Sequence, residues 1–65
     1  MDHRKRADIK IGVRVQVVQK GDQRSGRLTE GTVLSILTNS ATHPHGIKVR
    51  LETGVVGRVK QIISR

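Results

Sequence analysis

Valines 13, 15 and 17 alternate with Arg14 and Gln16, which is the period of two of a half-buried strand over residues 13–19. Val18 interrupts its polar side. Residues 20–26 mix charge with turn formers and predict an exposed loop between antiparallel strands. A second strand is expected over residues 27–37, yet Val33 and Ile36 are spaced wrongly to share one face of a regular strand. The pattern therefore requires a bulge or a bend, with Gly31 the candidate position. A helix over residues 28–37 competes, but Gly31 and the β-branched Thr32 and Val33 oppose it. Ile47, Val49 and Leu51 alternate with Lys48, Arg50 and Glu52 in the cleanest strand pattern of the chain. Residues 52–54 then predict a tight hairpin with Gly54 in a left-handed conformation. Residues 55–59 return as a fourth strand, in which Gly57 marks either a sharp bend or the close approach of another backbone. Residues 60–63 end the pattern as a short fifth strand or a single helical turn.

Between the second and third strands the composition changes abruptly to Thr38-Asn39-Ser40-Ala41-Thr42-His43-Pro44-His45-Gly46. The apolar segments on either side make this the central loop of the chain. Short strands without a long helical period or an internal repeat predict an all-β fold, a small antiparallel SH3-like barrel of four to five strands. An oligonucleotide-binding barrel is the alternative, but its five Greek-key strands are a tight fit in 65 residues. Residues 1–7 carry Arg4, Lys5 and Arg6 without apolar periodicity and read as a flexible basic arm preceding a single barrel domain over residues 8–65.

Charge adds more than composition does. Thirteen Lys and Arg against five Asp and Glu give a formal charge of +8 and a pI near 11.6, so polyanions are the natural partners. Cysteine is absent, which removes disulfides and thiolate metal sites and favours a cytoplasmic setting. No apolar run approaches the ~20 residues of a membrane span, and the basic N-terminus is not followed by the apolar segment of a signal peptide. The core has only aliphatic side chains to draw on, since Phe, Tyr and Trp are all missing.

Little in the chain points to catalysis. Ser40, Thr42, His43 and His45 are close in sequence, but a nucleophile and base also need an orienting acid and a cleft. A small barrel filled with Val and Ile leaves little room for one. Phosphate-binding glycine loops of the Gly-x-x-x-x-Gly-Lys and Gly-x-Gly-x-x-Gly types are absent. His43 and His45 flank Pro44 and could in principle share a metal, but zinc needs three or four protein ligands, and the remaining histidine is His3 in the arm. The local reading is a turn, with Pro44 fixing φ, trans or cis, and Asn39, Ser40 and Thr42 bonding nearby backbone. No enzyme activity, cofactor or metal is expected.

The basic positions carry more. Arg14, Lys48 and Arg50 alternate with core residues and so project outward; Arg58 and Lys60 extend that surface, and Lys20, Arg24 and Arg27 gather around the first loop. With His43 and His45 they form the candidate nucleic-acid-binding set, suited to phosphate contact that is strongly salt-dependent and does not read sequence. Single-strand binders rely on stacking rings, which this chain lacks apart from histidine. Structured RNA, recognised by backbone and shape, is the expected ligand.

At the central loop a resemblance becomes specific. Leu37-Thr38-Asn39-Ser40, then Thr42-His43-Pro44-His45-Gly46-Ile47-Lys48-Val49-Arg50-Leu51, then Gly54 and Val56-Gly57-Arg58-Val59 resemble the YwbE-like family of small uncharacterised microbial proteins. Asp22-Gln23-Arg24-Ser25-Gly26 and Leu28-Thr29 before Gly31 agree with it, so the likeness spans residues 8–63. Where that family usually has Pro after the Asn-Ser pair, this chain has Ala41, which removes one rigid turn residue. The resemblance implies a compact, mostly β domain and no established activity. Gly31-Thr32-Val33, with Gly12 and Gly54, is also similar in style to the KOW and SH3-like modules of ribosomal and transcription-associated proteins. The sequence thus leads to a non-enzymatic, cytoplasmic, monomeric nucleic-acid-binding module that acts on RNA or a ribonucleoprotein. A protein-interaction adaptor, docking a peptide on residues 38–46 or on a barrel edge, is the alternative.

Overall fold

The computed structural model describes residues 3–22 and 24–64. Four antiparallel strands, β1 (Arg14–Val18), β2 (Thr29–Ile36), β3 (Lys48–Leu51) and β4 (Val56–Ser64), close into a barrel in the order β1-β2-β3-β4, with β4 pairing back onto β1. This is the all-β barrel that the alternation predicts, and it is consistent with a small SH3-like barrel. Single 3-10 turns stand before β1 (Arg6–Asp8) and after it (Lys20–Asp22). Among the described residues, no helix is long and apolar enough to cross a membrane.

The inward positions of the strands meet in one core. Val15, Val17, Val33, Val49, Leu51 and Val59 are buried there with Ile9, Val13 and Ile47 from the adjoining segments. Each such side chain contributes roughly 1.5–3 kcal/mol when fully buried, so the aliphatic core depends on many small contributions.

Register shifts reconcile the irregular patterns. Val33 pairs with Leu51, but Ser35 pairs with Arg50, so Leu34 is an extra residue on β2. The extra residue flips the side-chain alternation and lets both Val33 and Ile36 reach the core. The bend thus falls at Leu34 rather than at Gly31, which instead leaves room for the Leu51 side chain. On β4, Lys60 and Ile63 stand at two further shifts against β1. They turn Ile62 toward the core while Ile63 stays exposed. Neither a fifth strand nor a helical turn forms over residues 60–63; β4 runs on as one bent strand that spans both halves of the barrel.

The β3–β4 hairpin matches its prediction, with Leu51 and Val55 bracketing residues 52–54 and Gly54 at φ +93°. Residues 3–6 differ from the flexible arm expected of residues 1–7. Lys5 forms a β-bridge with Thr42, Arg6 N–H donates to Ala41 O (2.8 Å), and His43 N–H donates to Arg4 O (2.9 Å). Ile47 N–H donates to His3 O (3.1 Å). In place of a free arm, residues 3–6 form a strap along the central loop. The polar backbone of that loop needs hydrogen-bond partners, and the strap supplies them. Residues 1 and 2 lie outside the described residues.

Gly57 provides the close approach anticipated for it. A Cβ there would lie 2.6 Å from Val18 O, a backbone atom that cannot move aside. Gly57→Ala should therefore destabilise by about 1–3 kcal/mol, as overpacking does, lowering the Tm by roughly 4–8 °C per kcal/mol. Gly21→Ala, where a Cβ meets nothing within 4 Å, should change stability by less than about 0.5 kcal/mol. Thermal melts of the two variants check the contrast.

Candidate nucleic-acid interface

The interface begins with the alternation of β3. Burial of Val49 and Leu51 turns Lys48 and Arg50 outward. Antiparallel pairing then sets Lys48 opposite Arg58 of β4. Like charges directly opposite in a sheet destabilise it, so the pairing concentrates positive charge at a cost to the fold. Arg58 relieves part of that crowding by donating from its guanidinium to Gly46 O (3.1 Å). Lys60, exposed at its register shift, donates in the same way to His45 O (2.9 Å). Both acceptors are neutral carbonyls, so neither positive charge is cancelled. Each head group keeps further N–H donors for a ligand.

The central loop is thus fixed from two sides. The strap holds residues 41–43 and Ile47, while β4 side chains hold the carbonyls of His45 and Gly46. Arg6 Nε also donates to Thr38 O (3.0 Å), and Lys48 N–H donates to Thr38 Oγ1 (2.8 Å). Gly46 sits at φ +102°, and any Cβ on it would run into the Val59 carbonyl. The Pro44 peptide bond is trans. His45 N–H donates to His43 Nδ1 (3.1 Å), and the two rings lie 5.8 Å apart at 49°. Among the described residues, no group of three or more metal-ligating side chains assembles around them.

The electrostatics of the loop show in His43. Partial desolvation of the ring, then the positive charges of Arg58 and His45, hold its imidazole below the ordinary histidine value of 6.5. His43 is therefore mostly neutral at pH 7 and ready to take up a proton beside an anion.

The rim opposite the loop is built by the β1–β2 connection. Asp22 N–H donates to Gln19 O, Gly26 N–H donates to Asp22 O, and Gln19 Nε2 donates to Thr29 Oγ1, which tie Asp22 and Gly26 to the ends of the flanking strands. Between the two rims runs an open groove of about 470 Å³, lined by Val18, Gly26, Leu28, His45, Arg58 and Lys60. Arg27 lies between two groove residues, Gly26 and Leu28, and is exposed.

Of the residues read as basic contacts, the fold brings His43, His45, Lys48, Arg58 and Lys60 together around the loop, with Arg50 next on the outer side of β3. Lys20 and Arg24 stay exposed in the opposite connection. Arg14 stands apart, at the far end of β1 from Val18, with its Nε 2.6 Å from Glu30 Oε2. Its charge is locally balanced. The apolar residues Val18 and Leu28 of the groove escaped the sequence reading. Their only signal there is that each is an aliphatic side chain where the pattern calls for a polar one.

The acidic residues are placed to complement this arrangement. From Gly31 to the end of the chain there is one, Glu52, in the β3–β4 turn. The half of the sequence that supplies the loop, β3 and β4 is consequently almost purely cationic.

Comparison with known proteins agrees with the sequence resemblance. The chain matches, over residues 2–62, a family described as an uncharacterized conserved protein, DUF2196. It is 55% identical over 64 residues, covering 98% of both chains, to the protein of Bacillus subtilis (strain 168) called "Uncharacterized protein YwbE". No solved structure matches it. By family model and by identity along nearly its whole length, the chain belongs to this YwbE-like family.

Proposed function

We propose that the protein is a non-enzymatic nucleic-acid-binding module that holds structured RNA through its phosphates. The observation that carries the reading is the uncompensated cationic surface of β3, β4 and the central loop. Lys48 faces Arg58 there, and the heads of Arg58 and Lys60 bond only neutral carbonyls. Opposing cations weaken a sheet, and a polyanion bound across them offsets that repulsion. The KOW-like and SH3-like style of the chain agrees with this role, as does its overall charge of +8. In this reading the protein acts as a cytoplasmic monomer. Peptide docking at a barrel edge has less support, because each of β1 to β4 is paired on both sides.

Affinity for a structured RNA hairpin, measured by fluorescence anisotropy, should fall steeply between about 50 and 200 mM salt, as phosphate neutralisation requires. The double variant Lys48→Gln/Arg50→Gln should reduce the slope of log K against log salt by about 2, one unit for each lost contact. Arg14→Gln, which removes a charge already paired with Glu30, should change the slope by well under 1 on the same scale. Affinity indifferent to salt sinks the reading.

A second expectation follows from His43. Its value lies below the ordinary 6.5 in the free protein, and a phosphate nearby favours the charged ring and raises it. Binding therefore takes up a proton, and affinity should strengthen as the pH falls through about 6.5. His43→Gln should remove the His43 share of that rise. In the free protein the sign is opposite: protonating His43 opposes folding, so its effect on stability improves as the pH rises toward 6.5. NMR titration of the His43 ring with and without RNA measures both.

A further inference from the structure

The groove between the β1–β2 connection and the central loop has a chemistry that phosphate contact alone does not use. One wall is apolar. Leu28 keeps 42% of its surface in water, although it shares the groove with Val18, which is only 6% exposed. The same groove is lined by His45 and Arg58, whose side chains end in planar groups, and by Lys60. Planar groups of these kinds are surfaces on which unstacked bases settle. The volume, about 470 Å³, falls in the ~300–1,000 Å³ range of sites that take small molecules. A volume of this order suits one nucleotide better than a helix.

We infer that this groove receives a single unpaired nucleotide of an otherwise structured RNA, its base between Leu28 and His45 and its phosphate at Arg58 and Lys60. The inference rests on the RNA-binding reading above. Charge is what selects the occupant. The groove contains two cations and no acidic residue, and positive charge continues on both sides, through Lys48 opposite Arg58 and through Arg27 between Gly26 and Leu28. A free nucleotide would leave those flanking charges unused, whereas a chain carries phosphates to them. The site distinguishes paired from unpaired nucleotides, because only an unpaired base can leave its stack to enter the groove.

Two RNA hairpins with the same stem, one fully paired and one with a single-nucleotide bulge, provide the test. The protein should bind the bulged hairpin about tenfold more tightly, the scale of one stacked base. Leu28→Ser and His45→Ala should each reduce that preference, read as the ratio of the two affinities, to about twofold or less. His45→Phe should restore it, since the ring returns without the imidazole nitrogens. Should Leu28→Ser unfold the chain, the His45 pair decides alone, because the loop is held at His45 by backbone atoms. Equal affinity for the two hairpins overturns the nucleotide pocket and leaves the phosphate interface standing. Absence of salt-dependent binding to either overturns both. Adenosine monophosphate binding as tightly as the bulged hairpin overturns the assignment to an RNA chain.

Discussion

A four-stranded sheet can close on a core of valine, isoleucine and leucine only if its backbones come close together. No aromatic side chain is available to fill a wider interior. Closure is therefore set by the glycines. Gly57 lets β4 lie against the Val18 carbonyl, Gly31 makes room for Leu51, and Gly46 lets the central loop reach the Val59 backbone. Protein interiors are packed as densely as organic crystals, and a methyl group at Gly57 or Gly46 would have to displace main chain. Much of the remaining architecture follows from keeping these contacts while burying the aliphatic positions of every strand.

The extra residues on β2 and β4 serve the same end. Each inserts one residue against its partner strand, bends the sheet and reverses which face the following side chains occupy. Leu34 and Ile63 are left exposed as a result, and their exposure follows from closure. Lys60 is the same kind of residue with a different outcome. Its position at a shift of β4 leaves it outside the barrel wall, where it reaches the His45 carbonyl. The geometry that closes the barrel thus also fixes the loop that carries the histidines.

That coupling bears on the part proposed for the loop in an interface. A connection of eleven residues, 37–47, ordinarily is mobile. Here the loop has a strap of residues 3–6 on one side and the cations of β4 on the other. A loop positioned this way presents His43 and His45 in a defined arrangement, so a ligand need not supply all the ordering entropy. Arg58 and Lys60 act in two ways at once, holding the loop through carbonyls while keeping full charge for an anion.

Much of this was legible in the sequence. The alternation at 13–17 and 47–51 specified two strands and their faces, because a strand with one side buried must repeat every two residues. It also placed Lys48 and Arg50 outside, and Gly54 in its turn. The mismatch of Val33 and Ile36 announced a bulge, though not its site at Leu34. Composition alone established the positive charge. Other features depended on residues distant in sequence. Lys5 and Thr42 are brought together by the barrel, so a segment with no apolar pattern gave no sign of its docking. Arg14 matches Lys48 as an outward basic residue, yet only cross-strand register reveals Glu30 beside it. The groove is likewise a tertiary product. Val18, Leu28 and His45 are separated in sequence, and they become one surface only because closing β4 onto β1 sets the first connection opposite the central loop.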